Sequence, residues 1–523
     1  MARLTGWVVA KVLDMFGEGR AEWLSVEDGR VRERRSAAPE GRTLADHDLL
    51  GEDLWLHPGF VDAHTHLIGM GLSRTRPDLS SASSRDAALD LLQSWLRAHP
   101  GESRVLGEGW DHSTWRDARP PTRRDIDRVE SVRPIALRRV CGHVAVLNSA
   151  AFREVGIAWP DLDPESGLAR EELPLALPLL WPATPEEEFH AVVEGQREAL
   201  RHGVTEIHEM GHERSYRAFA AVERAGELKL RTLHYFGADH LPALRTEGVI
   251  AGAGSDRLRV GGLKLFLDGS FGGRSAALRE PYADAPPGSG PDAGPDAGRG
   301  RLLWDSGALR ELIEAAYTAG LPVAMHAIGD RAIDQAVQVI ESVTVQPPTP
   351  PRLEHAEVLA PDLLSRAVNA GMRFSMQPNF TAAWQGSGQL YEQALGPKRA
   401  AALNPYRSVW DARSLAFGSD TMPMGPLFGL RGALGHPLKA QRLSLGEALA
   451  AYTFGGARCA VRPFGASTIS PGARVDWVLV RIPRSAAADA GRQTALLDRR
   501  DPEVLDGATI VATWVDGEEV FRA

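Results

Sequence analysis

The chain has 523 residues, more than one hydrophobic core usually supports, so we expect a barrel-sized domain with at least one accessory domain. Hydrophobic residues make up 43% and charged residues 24% of the chain, a globular balance that excludes wholesale disorder and a collagen-like protein. The formal net charge of -9 offers no positive field to nucleic acid or to an anionic membrane, so we predict neither of those partners and expect a small-molecule substrate.

The first residues and the two cysteines indicate a cytoplasmic protein. The apolar run that begins at Trp7 is too short and too interrupted for a signal peptide or a membrane-spanning helix. Cys141 and Cys459 lie far apart in the sequence, so we expect two buried free thiols. A disulfide framework and a cysteine-based metal site are therefore not predicted.

Both ends of the chain carry short strand-like runs separated by an Asp-Gly turn, at residues 26–31 and 515–520. Further strand-like runs occur near the carboxyl end. We therefore predict a small β-sandwich domain assembled from residues 1–56 and 465–523, with the rest of the chain inserted within it.

The middle of the chain, residues 57–464, alternates short strand-like runs with helix-length segments, the pattern of a parallel sheet with crossover helices. Eight such strand-like runs can be distinguished, and they cover residues 57–64, 203–208, 232–236, 263–267, 322–326, 352–355, 373–377 and 414–418. A TIM-type (β/α)8 barrel requires eight strands, so we predict an α/β fold built on that barrel. The segment of about residues 70–188 is too long for one crossover and predicts an inserted α/β subdomain.

A stretch rich in Pro, Gly and Asp covers residues 284–300 and contains the repeat Pro291-Asp-Ala-Gly, Pro295-Asp-Ala-Gly. Such a composition cannot bury a core. Because the stretch follows the fourth predicted barrel strand, we expect a mobile loop on the catalytic face.

Two histidines stand at the end of the first barrel run, in the sequence Pro58-Gly-Phe-Val-Asp-Ala-His64-Thr-His66. Alternate residues of a strand point the same way, so the two imidazoles meet at one spot and can grip a metal ion. An isolated His-x-His is incidental in roughly half of cases, so further ligands are needed to support the interpretation.

His326, His355 and Asp420 each follow an apolar run, at the strand ends where barrel enzymes carry their chemistry. Taken singly, each has a structural explanation, as a histidine satisfied in the core or as a helix N-cap at Asp420. Together they favour a site of imidazole and carboxylate ligands without thiolate, which suits zinc, iron, nickel or manganese.

In these motifs the chain resembles the amidohydrolase superfamily, and specifically the branch related to N-substituted formamide deformylases. Besides the His-x-His pair, the resemblance rests on Lys264-Leu-Phe-Leu-Asp-Gly-Ser, His326-Ala-Ile-Gly-Asp-Arg-Ala, Leu353-Glu-His355-Ala and Phe417-Gly-Ser-Asp420, which occur in this order. Gly109-Trp-Asp111, residues 121–127, Gly142-His143 and Asn148-Ser149 resemble that branch's inserted segment. The sequence departs from the family pattern at two places. Cys141 stands where an acidic residue is expected, and Glu209-Met-Gly211 replaces Asp-x-Gly. Both departures affect the expected substrate range.

The resemblance implies one or two divalent metal ions, with zinc favoured, held by His64, His66, Lys264, His326, His355 and Asp420. It also implies that Lys264 reacts with carbon dioxide to form an anionic carbamate that bridges two metals. A buried lysine near cations has a depressed pKa and a nucleophilic neutral amine, which permits this reaction. In the alternative, an unmodified Lys264 pairs with Asp268, and one metal is held by His64, His66, His326 and Asp420.

On this basis we predict hydrolysis of a C–N bond in an amide or an N-substituted formamide by metal-activated water. Asp420 is expected to take the proton of the water and deliver it to the departing nitrogen, while a metal or His355 polarises the carbonyl. The alternative is a deaminase or another hydrolase of the same superfamily. A non-catalytic barrel scaffold is disfavoured because grouped polar residues cost stability unless they bind something. A homodimer is compatible with the sequence.

A further set of side chains is predicted to contact the substrate, and it comprises Trp110, His143, Phe271, Arg274, Gln377, Trp384 and Met422. Phe380 and Tyr391 could join its aromatic members in an apolar pocket. Arg274 and His143 could orient a carbonyl or a carboxylate. Core packing or ordinary surface exposure is the alternative for each residue. Asp330 is interpreted as the N-cap of the following helix.

Overall fold

The structure is a computed structural model that describes residues 3–14, 21–41, 44–101, 103–112, 115–116, 119–139, 144–156, 159, 162–170, 172–285, 297–461, 465, 467–483 and 496–523. The expectations about Cys141, His143 and most of the loop at residues 284–300 lie outside the described residues. Within the described ranges, no helix is both long and apolar enough to cross a membrane. The chain divides into two compact units, Met1–His66 with Gln196–Ala523 and Leu67–Gly195.

The elements are numbered in chain order. The strands are β1 (Gly6–Lys11), β2 (Ala21–Glu27), β3 (Arg30–Arg35), β4 (His47–Asp48), β5 (Leu54–Pro58), β6 (Phe60–Thr65), β7 (Val105–Trp110), β8 (Ile135–Arg139), β9 (Val144–Leu147), β10 (Leu168–Arg170), β11 (Val204–Met210), β12 (Arg231–Gly237), β13 (Leu258–Phe266), β14 (Val323–Ala327), β15 (Arg352–His355), β16 (Arg373–Met376), β17 (Leu415–Phe417), β18 (Trp477–Arg481), β19 (Thr509–Val515) and β20 (Glu518–Arg522). The helices are α1 (Leu67–Thr75), α2 (Arg85–Ala98), α3 (Arg123–Val129), α4 (Ser149–Val155), α5 (Glu172–Leu180), α6 (Pro185–Arg201), α7 (Glu213–Arg224), α8 (Leu241–Glu247), α9 (Ser306–Thr318), α10 (Asp330–Ser342), α11 (Pro361–Asn369), α12 (Pro378–Trp384), α13 (Leu390–Leu395), α14 (Pro397–Ala401), α15 (Tyr406–Asp411), α16 (Pro426–Leu434) and α17 (Leu445–Ala450).

A barrel of eight parallel strands forms the larger part of the first unit, in the order β6, β11, β12, β13, β14, β15, β16 and β17. All eight predicted runs are strands of this sheet, so the predicted TIM-type barrel is confirmed. The two ends of the sheet meet where Asp420 donates its backbone N–H to the His64 carbonyl at 2.8 Å. The largest boundary error is at β13, because Arg259 and two glycines interrupt the apolar run before residue 263.

The barrel forms because its strands are buried along their whole length and its helices are amphipathic. All six residues of β6 are buried, as expected for a strand covered on both faces. In α10 the residues Ala332, Ile333, Ala336 and Val337 are buried. This spacing places them on one face of the helix, which packs toward the sheet and leaves the polar face to solvent.

Both ends of the chain contribute four-stranded sheets that share a core. One sheet has the order β3, β2, β1, β4 and the other has the order β20, β19, β18, β5. Trp477 and Trp514, which pair across β18 and β19, are buried in the core between them. The predicted Asp-Gly hairpins are present, since Asp28 and Asp516 have φ of 51° and 50° and each precedes a glycine of positive φ.

The second unit, Leu67–Gly195, contains a mixed sheet in the order β10, β9, β8, β7. Strands β7 and β8 are parallel, whereas β9 runs antiparallel to both of its neighbours. Thr122 caps α3 through a capping box with Asp125. This α/β unit corresponds to the subdomain predicted for about residues 70–188.

Candidate metal centre

The six predicted ligands all lie at the carboxyl ends of barrel strands. They are His64 and His66 at the end of β6, Lys264 in β13, His326 in β14, His355 at the end of β15 and Asp420 after β17. The carboxyl ends of the strands open on one rim of a TIM barrel, the rim that carries the chemistry of such enzymes.

His64, His66 and Asp420 form a group whose ligand atoms converge. Ligand atoms of the three side chains lie within 4.8 Å of one another. Asp420 Oδ1 is 3.5 Å from His64 Nε2 and 3.3 Å from His66 Nε2. The His64 side chain is fully buried, whereas 40% of the His66 side chain is exposed, so the group opens to solvent at His66. Two imidazole nitrogens and a carboxylate oxygen at this spacing fit a divalent ion such as zinc.

Hydrogen bonding decides which nitrogen of His64 is able to bind a metal. Its Nδ1 lies 2.6 Å from Oε2 of the buried Glu354, and an ionised carboxylate can only accept, so Nδ1 carries the proton. The lone pair is therefore on Nε2, the nitrogen that faces Asp420. A carboxylate behind a histidine in this way orients the ring as a metal ligand.

His355 and His326 are oriented in the same manner by other acceptors. His355 Nδ1 is 2.8 Å from Gln377 Oε1, and Gln377 Nε2 donates to the Ser375 carbonyl at 3.2 Å. The amide oxygen accepts, so His355 Nε2 keeps its lone pair. His326 Nε2 is 3.1 Å from the Gly269 carbonyl, so its Nδ1 is the unprotonated nitrogen. The two rings are adjacent, with centroids 4.5 Å apart.

Lys264 reaches the same group from β13. Its Nζ lies 3.3 Å from His64 Nε2 and 4.8 Å from the centre of the Phe266 ring. Only 3% of the residue is exposed. Burial lowers the pKa of Lys264 to about 8, so a larger fraction of its side chain is the neutral amine than in an exposed lysine.

Asp268, the partner of Lys264 in the one-metal alternative, is occupied by other groups. Its carboxylate accepts backbone N–H bonds of 2.9, 3.0 and 2.8 Å from Ala277, Ile328 and Gly329. It also lies 3.5 Å from His326 Nε2. Among the described residues Lys264 forms no ion pair with Asp268, so that predicted pairing is not found. Asp268 instead orders the loops after β13 and β14.

Burial dominates the electrostatics of the centre. It raises the pKa of Asp420 to about 7, against the opposing effect of the nearby Lys264 charge. It lowers the pKa of His326 to about 3, which leaves a neutral imidazole. Polar groups gathered in this way are costly unless a bound cation or hydrogen bonds compensate them.

The backbone is unusual at two of the ligands. His355 and Asp420 have φ of 71° and 55°, in the left-handed region that residues other than glycine rarely adopt. Such conformations cost free energy and cluster at functional sites. Both residues lie at the rim that carries the candidate ligands.

Comparisons with known proteins show the family to which the chain belongs. The sequence profile of the amidohydrolase family (Amidohydro_3) matches residues 52–521, which include the whole barrel and all six ligands. The chain belongs to the amidohydrolase family. It is an amidohydrolase-family hydrolase.

Relatives of this amidohydrolase cover nearly its full length. A putative amidohydrolase of Bacillus subtilis, YtcJ, is 28% identical over 99% of both chains. The N-substituted formamide deformylase of Arthrobacter pascens is 25% identical over 89% of both chains. Among solved structures, an uncharacterized metal-dependent hydrolase of Pyrococcus horikoshii is 25% identical over 92% of this chain and 97% of its own, with a TM-score of 0.75.

A buried charged network beneath the amidohydrolase centre escaped the sequence analysis. Arg352, whose side chain is 2% exposed, lies with its Nε 2.9 Å from Glu354 Oε1. It also donates to the Ala63 carbonyl at 2.6 Å and to His208 Nδ1 at 2.9 Å. Glu354 is thus held between Arg352 and the metal-ligand candidate His64. The signal was the alternation Arg352-Leu-Glu354 in β15, which puts two charges on one face of a buried strand.

Four of the predicted substrate contacts lie near the rim or on its loops. Phe271 and Trp384 belong to an aromatic cluster with Phe380 and Tyr391, and the Phe380 ring is stacked on His355 with centroids 5.9 Å apart. Gln377, whose amide holds His355, is buried directly after β16. Met422, two residues after Asp420, is 48% exposed. Their contact with substrate stays a prediction.

Arg274 and Trp110 are engaged by other protein groups. Arg274 Nε lies 3.0 and 2.9 Å from the two carboxylate oxygens of Asp284, so the guanidinium is tied to its own loop. Trp110 is fully buried in the core of the second unit, where its Nε1 donates to the Leu137 carbonyl at 2.8 Å. Core packing therefore accounts for Trp110 without a substrate.

Glu209, where the sequence departs from the family pattern, accepts a hydrogen bond of 2.9 Å from Thr65 Oγ1. Thr65 stands between His64 and His66, so this departure lies beside the two histidines of the centre.

Asp330 begins α10 as its first helical residue and accepts from the Arg279 backbone at 2.7 Å, whereas the N-cap position itself is Gly329. The N-cap interpretation of Asp330 is therefore displaced by one residue.

Proposed function

We propose that this amidohydrolase hydrolyses a C–N bond in a small molecule, an amide or an N-substituted formamide, with zinc as its metal. The observation that carries the proposal is the convergence of His64, His66 and Asp420 ligand atoms within 4.8 Å at the carboxyl rim of the barrel. The similarity to an N-substituted formamide deformylase over 89% of the chain supports the choice of bond.

The residues that would hold the metal are His64, His66, His326, His355 and Asp420, with a carboxylated Lys264 as a further ligand. When bound, a divalent metal supplies a Lewis acid that activates water and polarises the scissile carbonyl. Hydrogen bonds from His64 Nδ1 to Glu354 and from His355 Nδ1 to Gln377 leave the Nε2 atom of each ring free to bind the metal.

Proton transfer is assigned to Asp420. Its carboxylate lies beside the two histidines of the His-x-His pair and is 15% exposed, so it is accessible from the rim. It takes a proton from the attacking water at a carboxylate oxygen and returns it to the departing nitrogen. The bond from His355 Nδ1 to Gln377 leaves Nε2 without a proton, so we assign His355 to metal binding and not to carbonyl polarisation.

Carboxylation of Lys264 is part of the proposal. The amine is buried and lies 3.3 Å from His64 Nε2, which places its nitrogen at the group of ligands. A carbamate at this position adds an anionic oxygen ligand and removes a buried positive charge from the centre.

The aromatic cluster beside His355 favours an apolar substituent on the substrate. Phe271, Phe380 and Trp384 form a wall of rings, and Trp384 is only partly buried. Such rings line pockets that bind apolar groups. We therefore expect formamides with an aromatic or alkyl group on nitrogen to be better substrates than formamide itself.

Metal content and turnover on one preparation test the proposal. The purified protein should contain one to two equivalents of divalent metal and release formate and amine from an N-substituted formamide. A chelator should remove metal and activity together, and zinc should restore both. Full activity of the metal-free protein would contradict the proposed metal dependence. Metal-loaded protein that is inactive on amides and formamides would contradict the proposed hydrolysis of a C–N bond.

A matched pair of histidine variants locates the metal. His66→Asn removes a ligand and should lower the metal content. His190→Asn is the control, because His190 is an exposed histidine on α6 whose Nε2 lies 4.0 Å from Glu186 and which is not a candidate ligand. Equal metal loss in both variants would contradict the assignment of His66.

A further inference from the structure

A cavity of about 510 Å³ lies at the amino end of the barrel, the end opposite the metal centre. Its lining includes Arg373, the first residue of β16, and Arg413, which precedes β17. Arg458 and the rings of Trp410 and Phe454 complete the wall. The volume lies in the range of small-molecule sites, about 300–1,000 Å³. We call these five residues and their cavity the arginine pocket.

The guanidinium groups of the arginine pocket converge on one backbone atom. Arg373 Nη1 donates to the Arg413 carbonyl at 2.7 Å, and Arg458 Nη1 donates to the same oxygen at 3.3 Å. The two cations are therefore close neighbours, and Arg458 contributes with burial to lowering the pKa of Arg373. Arg413 and Arg458 are exposed, so water screens their charges, but the half-buried Arg373 faces a neighbouring like charge that a bound anion would compensate.

No such anion is provided by the described part of the chain. Among the described residues, none of the three arginines forms an ion pair with a carboxylate. The acidic residue of the lining, Asp411, lies 3.4 Å from Arg407 Nη1 instead. The buried Nε of Arg373 has no hydrogen-bond partner among the described groups. The arginine charges and this unsatisfied donor together indicate a site that could bind an oxyanion.

Two aromatic rings beside the cations indicate more than an inorganic ion. Phe454 is 45% exposed, and the Arg458 guanidinium lies 5.4 Å from the centre of its ring. Phe454 is held in a π-type turn, Ala451–Gly455, a local irregularity that is frequent at functional sites. The half-buried Trp410 offers a second surface for a flat apolar group.

We propose that the arginine pocket binds a small organic oxyanion, a phosphoryl or carboxylate group attached to a flat apolar ring. Arg373 and Arg458 hold the oxyanion, and Trp410 and Phe454 contact the ring. The cavity volume of about 510 Å³ and the net charge of -9 favour a small ligand over a nucleic acid. This binding goes beyond the proposed hydrolysis and does not depend on the metal centre.

Titration calorimetry on the full chain at fixed ionic strength tests the proposal. The probes are phenyl phosphate and benzoate, which distinguish the phosphoryl from the carboxylate source, and inorganic phosphate. At least one ring-bearing probe should bind saturably and about tenfold or more tighter than inorganic phosphate. Arg373→Gln with Arg458→Gln should weaken that binding by about tenfold or more, since charge-assisted bonds are lost.

Two further variants separate the parts of the site. Phe454→Ala changes an exposed ring, and it should weaken the ring-bearing probe while leaving inorganic phosphate unchanged. Arg366→Gln is the control for a lost surface arginine, because Arg366 pairs with Asp334 and Glu341 away from the pocket. Its affinity for the probe should equal that of the wild type, and thermal unfolding should show that all variants are folded.

Three results would overturn the proposal. The first is the absence of saturable binding by all three probes. The second is binding that survives the double arginine substitution, which would place the anion elsewhere, for example at the metal centre. The third is a lower molar mass of the double variant than of the wild type in solution. That result would assign this face to a contact between two copies of the chain.

Discussion

Replacement of Glu354 by glutamine is expected to lower both the metal affinity and the stability of this amidohydrolase. Glu354 is fully buried, accepts from His64 Nδ1 at 2.6 Å and lies 2.9 Å from Arg352 Nε. Glutamine has nearly the same volume and retains one acceptor oxygen. It removes the negative charge that orients the imidazole on one side and balances the guanidinium on the other.

The expected losses of metal affinity and of folding stability differ in size. Removal of a carboxylate behind a metal-binding histidine typically costs 10- to 100-fold in metal affinity, or about 1.4–2.7 kcal/mol. Because the glutamine oxygen can still accept one hydrogen bond from His64, we expect the lower end of this range. Leaving Arg352 as a buried cation without its partner is expected to lower the free energy of unfolding by about 3–5 kcal/mol.

The measurement is metal affinity by competition with a chromophoric chelator, together with denaturant unfolding of the metal-free protein. Asp476→Asn is the matched control. Asp476 forms an equally buried pair with Arg231, at 2.7 and 3.0 Å, but Arg231 begins β12 at the opposite end of the barrel. The control should lose stability and keep its metal affinity. Wild-type metal affinity in Glu354→Gln would refute the orienting role of Glu354.

Three other substitutions test single residues. Asp420→Asn should keep the fold and most of the metal while kcat falls by about 10²- to 10⁴-fold, the usual loss of a general base; turnover near the wild-type value with metal bound would reject the proton shuttle. Lys264→Ala should abolish activity that a high concentration of acetate partly restores, and a mass spectrum lacking the added carboxyl group in active wild type would count against the carbamate. Trp110→Phe should lower the free energy of unfolding by about 1–3 kcal/mol, because the Leu137 carbonyl loses its donor, with KM unchanged; a raised KM at unchanged stability would indicate substrate contact instead.

The barrel was predictable because short strand-like runs alternate with helix-length segments, and several of the runs end in a candidate metal ligand. His326 follows the apolar run Val323-Ala-Met, whereas His355 ends the largely polar run Arg352-Leu-Glu, and both lie on the predicted rim. The start of β13 was not predictable from apolarity, because Arg259 and the glycines that follow lie inside the strand. Backbone pairing of Arg259 and Gly262 with β12, which the side chains do not encode, defines this part of the strand.

The partners of the ligands were harder to infer than the ligands. Glu354 reaches His64 across 290 positions of sequence, and no local spacing encodes that contact. In the one-metal alternative Asp268 was the partner of Lys264, yet its oxygens accept from the backbone N–H groups of Ala277, Ile328 and Gly329. Such long-range partners follow from the closure of the barrel and not from periodicity.

The sandwich is built from strands at both ends of the chain, and this affects folding during synthesis on the ribosome. Strand β5 finds its ladder partner in β18, which begins at Trp477, about 420 residues later. At roughly 5–20 residues per second, the apolar edge of β5 waits about 20–80 s for that partner. An unpaired apolar edge invites association with other chains during this interval. The production of soluble protein should therefore depend on chaperone supply and on translation speed more strongly than the stability of the finished fold would suggest.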